Sequence, residues 1–341
     1  MRANPWLFYP AAIIASLSGT WLEADELGNF YAKREVSLIV GTGAGGGYDT
    51  FGRLVGRFLG DHIPGNPNFV VQFMPGASGV KAVNYLYAIA PKDGSVISIF
   101  NANMPLYELI GQPGIQFKCQ DLSWIGSISK DIQTLVVWHT AGVKTIEEAK
   151  QTQTILGATG AGGMKAGFGD LLNGSVGTQF KVVTGYEGGN TVNLAMERGE
   201  VHGNISSWGS LEATRPEWVA ERKVVPLVQV SLERGPGALK DTPLLTELAT
   251  NDEQRQLFYL LSVASEMARP FAGPPGLPPV RLAALRKGFA ALQKDEAFLA
   301  AAAKQKVTID SLSGAELSDM VSRIMSTPPE LIAKNKSLFR P

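Results

Sequence analysis

Short apolar runs alternate with helical spacings along most of the chain. Glu35-Val-Ser-Leu-Ile-Val40 reads as a buried strand, Gly41 to Asp49 as a loop, and Thr50 to Leu59 as a helix with Phe51, Leu54, Val55 and Phe58 on one face. Phe69 to Met74 gives a second strand, Val80 to Ile89 a second helix and Val96 to Phe100 a third strand. This alternation predicts a parallel α/β sheet. A second unit of the same design starts near Leu135 to Trp138. It continues through a helix over Thr145 to Lys150, a strand over Thr154 to Gly157 and a helix over Lys165 to Leu172, with further strands at Phe180 to Val183 and near Val225 to Val230. After a proline- and glycine-rich stretch, Pro278-Pro279 opens a long helix that runs into Ala300 to Ala303, and Ser313 to Met325 reads as another. Late helices are most economically packed back on the first unit. The chain then leaves that domain once and returns, which gives residues 34–130 plus 232–341 as one lobe and 131–231 as the other.

Trp6 to Leu17 is apolar, but its dozen or so residues are too few to cross ~30 Å of hydrocarbon and suit a secretory leader, taken as residues 1–33. Cleavage after Ser18 and after Ala24 are both open, and the mature chain is expected to be soluble.

The 341 residues carry 31 basic and 31 acidic side chains, with no basic run, which argues against nucleic acid and against an anionic membrane surface as partners. One cysteine, Cys119, and three dispersed histidines, His62, His139 and His202, offer neither a disulfide nor metal-ligand spacing, and Cys119 reads as a buried structural thiol. There is no G-x-S-x-G elbow to join His139 or His202 in a hydrolase triad, and Glu147-Glu148 and Asp295-Glu296 read as solvated helix faces. No catalytic residue, metal or cofactor is expected. Trp208 reads as core, with the cleft wall as the alternative.

Glycine, at 38 residues, is the type in excess. Gly41-Thr-Gly43-Ala-Gly-Gly46 satisfies G-x-G-x-x-G between a strand and a helix, so a dinucleotide-binding enzyme is the alternative reading. The second strand, however, ends Phe73-Met74-Pro75-Gly76 with no carboxylate for a ribose. What the loop does offer is unshielded backbone N–H at a helix N-terminus, which receives an anion without a basic side chain. Asp49 reads as that helix's N-cap. Gly157-Ala-Thr159-Gly160-Ala161-Gly162-Gly163 repeats the arrangement, and Tyr186 to Asn190 and Asn204 to Ser207 are further polar strand ends. Two anion-receptive loops on two lobes imply a cleft between them.

These residues resemble the periplasmic substrate-binding proteins of tripartite tricarboxylate transporters, the TctC or Bug family, over most of the chain after about residue 34. The matching pieces, in order, are Gly45-Gly-Gly-Tyr-Asp49, Met74-Pro-Gly-Ala-Ser-Gly79, Pro91-Lys-Asp-Gly94, Val183-Thr-Gly-Tyr-Glu-Gly188 and Thr242-Pro-Leu-Leu-Thr-Glu247. The resemblance implies a two-lobed α/β fold of the periplasmic-binding-protein type II, with a ligand cleft between the lobes. It further implies a monomeric periplasmic receptor that binds a small carboxylate and delivers it to membrane permease subunits. Carried onto this sequence, the site is Ala44, Gly45, Gly46, Gly47 and Tyr48 facing Thr159, Gly160, Ala161, Gly162 and Gly163, with Tyr186 and Ser207 beside them. Tyr48 stands where the family has a small residue, and Glu187 where it has a lysine.

Overall fold

The computed structural model describes residues 26–32, 34–159 and 164–335. Its strands are β1 (Glu35–Val40), β2 (Asn68–Phe73), β3 (Val96–Ile99), β4 (Ser123–Ser127), β5 (Gln133–Trp138), β6 (Thr154–Gly157), β7 (Phe180–Val183), β8 (Gly203–Ser207), β9 (Val224–Val230), β10 (Pro270–Gly273) and β11 (Leu312–Ser313). They sort into a six-stranded sheet, ordered β11-β4-β10-β3-β1-β2, and a five-stranded sheet, ordered β7-β6-β8-β5-β9. These sheets are the centres of the two lobes.

Each sheet contains a parallel trio, with β1 between β2 and β3 and β6 between β7 and β8. Contrary to the all-parallel expectation, both sheets are mixed. β5 runs against β8 and β9, and β10 against β3 and β4. The crossing between lobes supplies the reason: β5 begins opposite the end of β8, where Gln133 faces Ser207, and β10 begins beside the end of β3, where Phe271 faces Ile99. A strand that enters a sheet from the hinge meets the C-terminal ends of its neighbours and must run against them. The same geometry puts the segments after β1 and β6 at the lobe junction, each following the middle strand of a trio, the switch point at which open α/β sheets form a crevice.

The expected helices recur with small boundary changes, as Gly47–Phe58, Val80–Ala88, Ile146–Ala149, Met164–Val176, Pro279–Leu292 and Gly314–Met325. The long helix expected from Pro279 to Ala303 is divided. It stops at Leu292, and Asp295 then caps a separate helix, Glu296–Lys304, by accepting from the N–H groups of Ala297 (2.8 Å) and Phe298 (3.0 Å). Asp295 is therefore a cap, joined at 2.8 Å to His62, rather than part of a solvated helix face. The helix Asp252–Glu266 was not anticipated. Its buried Leu257, Phe258 and Leu261 belong to one hydrophobic cluster that also holds Trp124 and Phe100 of the first lobe and Leu135 and Phe168 of the second.

Residues 26–31, which the sequence places in the leader, form a helix packed on the first lobe. Tyr31 is fully buried and donates to the Gly94 carbonyl at 3.2 Å, while the guanidinium carbons of Arg281 and Arg34 lie 3.6 and 4.1 Å from the centre of the Phe30 ring. Tyr31→Ala is expected to cost about 3–5 kcal/mol in urea unfolding, the range for emptying a buried aromatic site. A neutral result would return this segment to a dispensable leader.

The turn after β2 keeps two side-chain-bearing residues, Ala77 (φ 46°) and Ser78 (φ 56°), in left-handed backbone between Gly76 and Gly79. That conformation costs an L-residue about 1–2 kcal/mol. Glycine would relieve it at about 0.5–1 kcal/mol of extra chain entropy. Ser78→Gly is expected to raise stability by about 0.5–1 kcal/mol, read from thermal unfolding; a loss would mean that the serine hydroxyl holds the turn.

Candidate functional site

β1 is followed by Gly41, whose N–H continues the ladder to Ile99 at 3.0 Å and where a Cβ would come within 3.3 Å of the Phe100 side chain. An exposed loop over Gly43, Ala44 and Gly45 leads to Gly46, which is extended (φ −104°, ψ 178°) and caps the helix Gly47–Phe58 without a side-chain bond. Asp49, expected as the N-cap, instead sits three positions inside the helix. Its carboxylate reaches back to accept the Gly45 N–H at 2.8 Å and also pairs with Arg53. The aspartate thus occupies one of the loop's donors. The N–H groups of Gly46, Gly47 and Tyr48 find no acceptor among the described residues, as the start of a helix requires unless a cap or ligand intervenes.

Tyr48 turns its side chain inward. Its hydroxyl donates to the Ala268 carbonyl and accepts from the Ala102 N–H, both at 3.3 Å. Burial raises the phenol's pKa above its ordinary value, opposed by the positive charge of Arg269.

On the second lobe, β6 ends in Gly157, where a Cβ would lie 2.7 Å from Val192 and 3.4 Å from the Tyr186 ring, so packing alone demands this glycine. Tyr186 is half-buried there, its N–H on the Ala158 carbonyl at 3.4 Å, and Thr159 is half-buried at the end of the described segment. Gly160, Ala161, Gly162 and Gly163 lie outside the described residues. The lobes meet directly where the Asn190 amide donates to the Gly45 carbonyl at 3.2 Å. Ser207 is buried and caps the helix Trp208–Thr214, accepting from the Ser210 N–H at 3.0 Å and donating to Asp131 at 2.7 Å. It belongs to the junction's internal network.

Trp208 packs in the core with its indole N–H on Glu212 at 3.0 Å. His202 accepts the Ile155 N–H at 3.1 Å within the second sheet, and Cys119 is a buried thiol raised well above its ordinary pKa, first by burial and then by Glu108.

The residue that sequence reasoning missed is Arg269, at the start of β10. It is only 4% exposed. Its Nη2 lies 3.1 Å from Ser210 Oγ, 3.2 Å from Ser207 Oγ and 3.2 Å from Asp131, and Nη1 donates to the Ala268 carbonyl at 3.1 Å. The Tyr48 and Phe51 rings lie 4.8 and 5.0 Å from its guanidinium carbon. The signal was present in Met267-Ala-Arg-Pro-Phe-Ala272, an arginine inside an apolar stretch, since arginine is rarely buried without a partner. A basic side chain therefore does stand behind the first loop, neutralised in place by Asp131, where the glycine pattern had suggested backbone alone.

No protein-family model and no curated protein matches the sequence. Solved structures do match. A TctC solute binding protein from Polaromonas, without ligand, superposes with a TM-score of 0.63 at 20% identity, over 89% of this chain and 99% of that one. The periplasmic binding protein BugD gives 0.67 at 17% identity, over 90% of this chain and 98% of its own. MatC from Rhodopseudomonas palustris, with bound malate, gives 0.67 at 17% identity, over 88% and 99%. The fold is that of the TctC and Bug binding proteins. Within this TctC/Bug fold β1 and β6, the strands that lead into the two glycine-rich segments, are each the middle strand of a parallel trio. Among the described residues no helix is long and apolar enough to cross a membrane, and no group of three or more histidine, cysteine or acidic side chains is placed to hold a metal ion.

Proposed function

We propose that this chain is an extracytoplasmic solute receptor that captures a small carboxylate between its lobes and passes it to a tripartite-type membrane permease, performing no chemistry itself. The observation that carries the reading is Gly46. Its φ of −104° is open to any residue, and a Cβ there would meet nothing within 4 Å, so neither backbone nor packing calls for glycine. Space in front of the N–H groups of Gly46, Gly47 and Tyr48 does. The bound malate of MatC and the periplasmic setting of BugD support the ligand class and the compartment.

Three charge-assisted hydrogen bonds of roughly 1.5–3 kcal/mol each gross about 4.5–9 kcal/mol, while micromolar binding needs about 8 kcal/mol after lobe closure is offset. One loop falls short. Donors from Thr159 to Gly163 on the second lobe complete the site, and capture requires both lobes.

A thermal-shift screen over mono-, di- and tricarboxylates, followed by calorimetry, tests the proposal. A ligand present at about 100 times its Kd adds about 2.7 kcal/mol of stability. Silence across the panel, with protection by a nicotinamide dinucleotide instead, would replace the receptor by the dinucleotide-binding reading.

A further inference from the structure

The contacts of Arg269 divide by lobe. On one side are Tyr48 and Phe51, successive residues along the face of the first-lobe helix Gly47–Phe58. On the other are Ser207 and Ser210, the cap and first turn of the second-lobe helix Trp208–Thr214. Asp131, in the crossover between β4 and β5, holds the guanidinium at the hinge itself and also accepts from Ser207 and Gln133. Gly47 fits this junction closely: a Cβ there would stand 2.7 Å from Ser210 Oγ and 3.3 Å from Arg269 Nη2. An arginine that served only to neutralise Asp131 would need neither the two rings nor Ser210. One N–H of the group, at Nε, is buried and has no partner among the described residues, a cost that this arrangement tolerates.

We infer that Arg269 is a positioning residue that clasps the two lobes together over the ligand. Ser207 is tied to Asp131 at 2.7 Å and stays with it, so separating the lobes about the hinge breaks the Arg269–Ser210 bond beside Gly47 first, and that bond belongs to the closed arrangement. Apparent affinity falls in proportion to the population of the binding-competent state. Arg269 therefore sets affinity without touching the ligand. Its effect on affinity rests on the receptor reading above, whereas its effect on lobe geometry does not.

The test uses Arg269→Lys, which keeps a charge for Asp131 but loses the planar fork, and Ser210→Ala, which removes one second-lobe contact. Spin labels at Lys92→Cys and Glu221→Cys, exposed positions on the two lobes, report lobe separation by pulsed electron resonance, while the buried native Cys119 stays unlabelled. Both variants are expected to shift the unliganded distance distribution toward longer separations. Malate affinity, or that of the best carboxylate in the panel, should weaken roughly 3–10-fold for Ser210→Ala and roughly 10–100-fold for Arg269→Lys. Gly47→Ala should open the lobes as well, and adding Ser210→Ala to it should relieve that steric part. Unchanged distances in Arg269→Lys overturn the clasp, and so do shifted distances with unchanged affinity. A parent protein that binds no carboxylate sinks the receptor reading, and the distances then decide the clasp by themselves.

Discussion

Gly46→Val is expected to abolish carboxylate binding while the protein remains folded. The backbone at Gly46 lies in the extended region, where a β-branched side chain is comfortable, and the added atoms meet no neighbour. The loss of stability should be limited to replacing an acceptable N-cap residue by a poor one, about 1 kcal/mol, a shift of only a few degrees in a chain this long. The branched side chain would stand over the N–H groups of Gly47 and Tyr48. Losing two charge-assisted hydrogen bonds removes about 3–6 kcal/mol, or roughly two to four decades of affinity. Gly46→Ala should fall between parent and valine variant. Calorimetry that finds the valine variant binding as tightly as the parent would mean that the ligand does not enter at this helix start.

A large stability effect is expected at Asp131. Its carboxylate is buried and accepts from Ser207 (2.7 Å), Gln133 (2.8 Å) and Arg269 (3.2 Å). Asp131→Ala leaves the Arg269 guanidinium buried without its counter-charge, a change that costs about 3–5 kcal/mol in comparable pairs. Removing both charges with similar volume, as Asp131→Leu with Arg269→Met, should be nearly neutral or mildly stabilising by the same reasoning, because two desolvation costs disappear together. Urea unfolding of the single and the double variant separates the two effects. A cost below about 1 kcal/mol for Asp131→Ala would show that solvent reaches the arginine. Among the ion pairs of the described residues it is the one with both side chains buried, 5% and 4% exposed.

The legible part of the fold was the part encoded by local periodicity. The runs over Glu35–Val40 and Phe69–Met74, and the helix after Gly46, needed only apolar spacing and a glycine loop. The strand directions were not legible, because Gln133–Trp138 and Pro270–Gly273 look like any buried strand, and their antiparallel sense follows from where the chain crosses between lobes. The helix Asp252–Glu266 escaped because it buries residues toward both lobes, which blurs a single apolar face. At the candidate site, the loop pattern put Gly46, Gly47 and Tyr48 at a helix start, where the structure has them, but the reversal of Asp49 was not legible. An aspartate near a helix start reads as a cap, and only the geometry reveals that it reaches back to Gly45 and removes a donor. Arg269 lies outside every motif, about 220 residues from the loop it supports. Tertiary contacts of that separation leave no local trace beyond an arginine in an apolar setting.

The helix Asp252–Glu266 also bears on how the molecule can be divided. Although the sheets are separate, this helix contributes Leu257, Phe258 and Leu261 to a cluster shared by both lobes, and it follows the second lobe's last strand before the chain returns through Arg269 to the first. Cutting the chain at either crossing would leave one fragment with an uncovered apolar face and the other with a helix that has lost half of its seat. Neither lobe keeps its apolar surface covered without the other, because the cluster under this helix is shared.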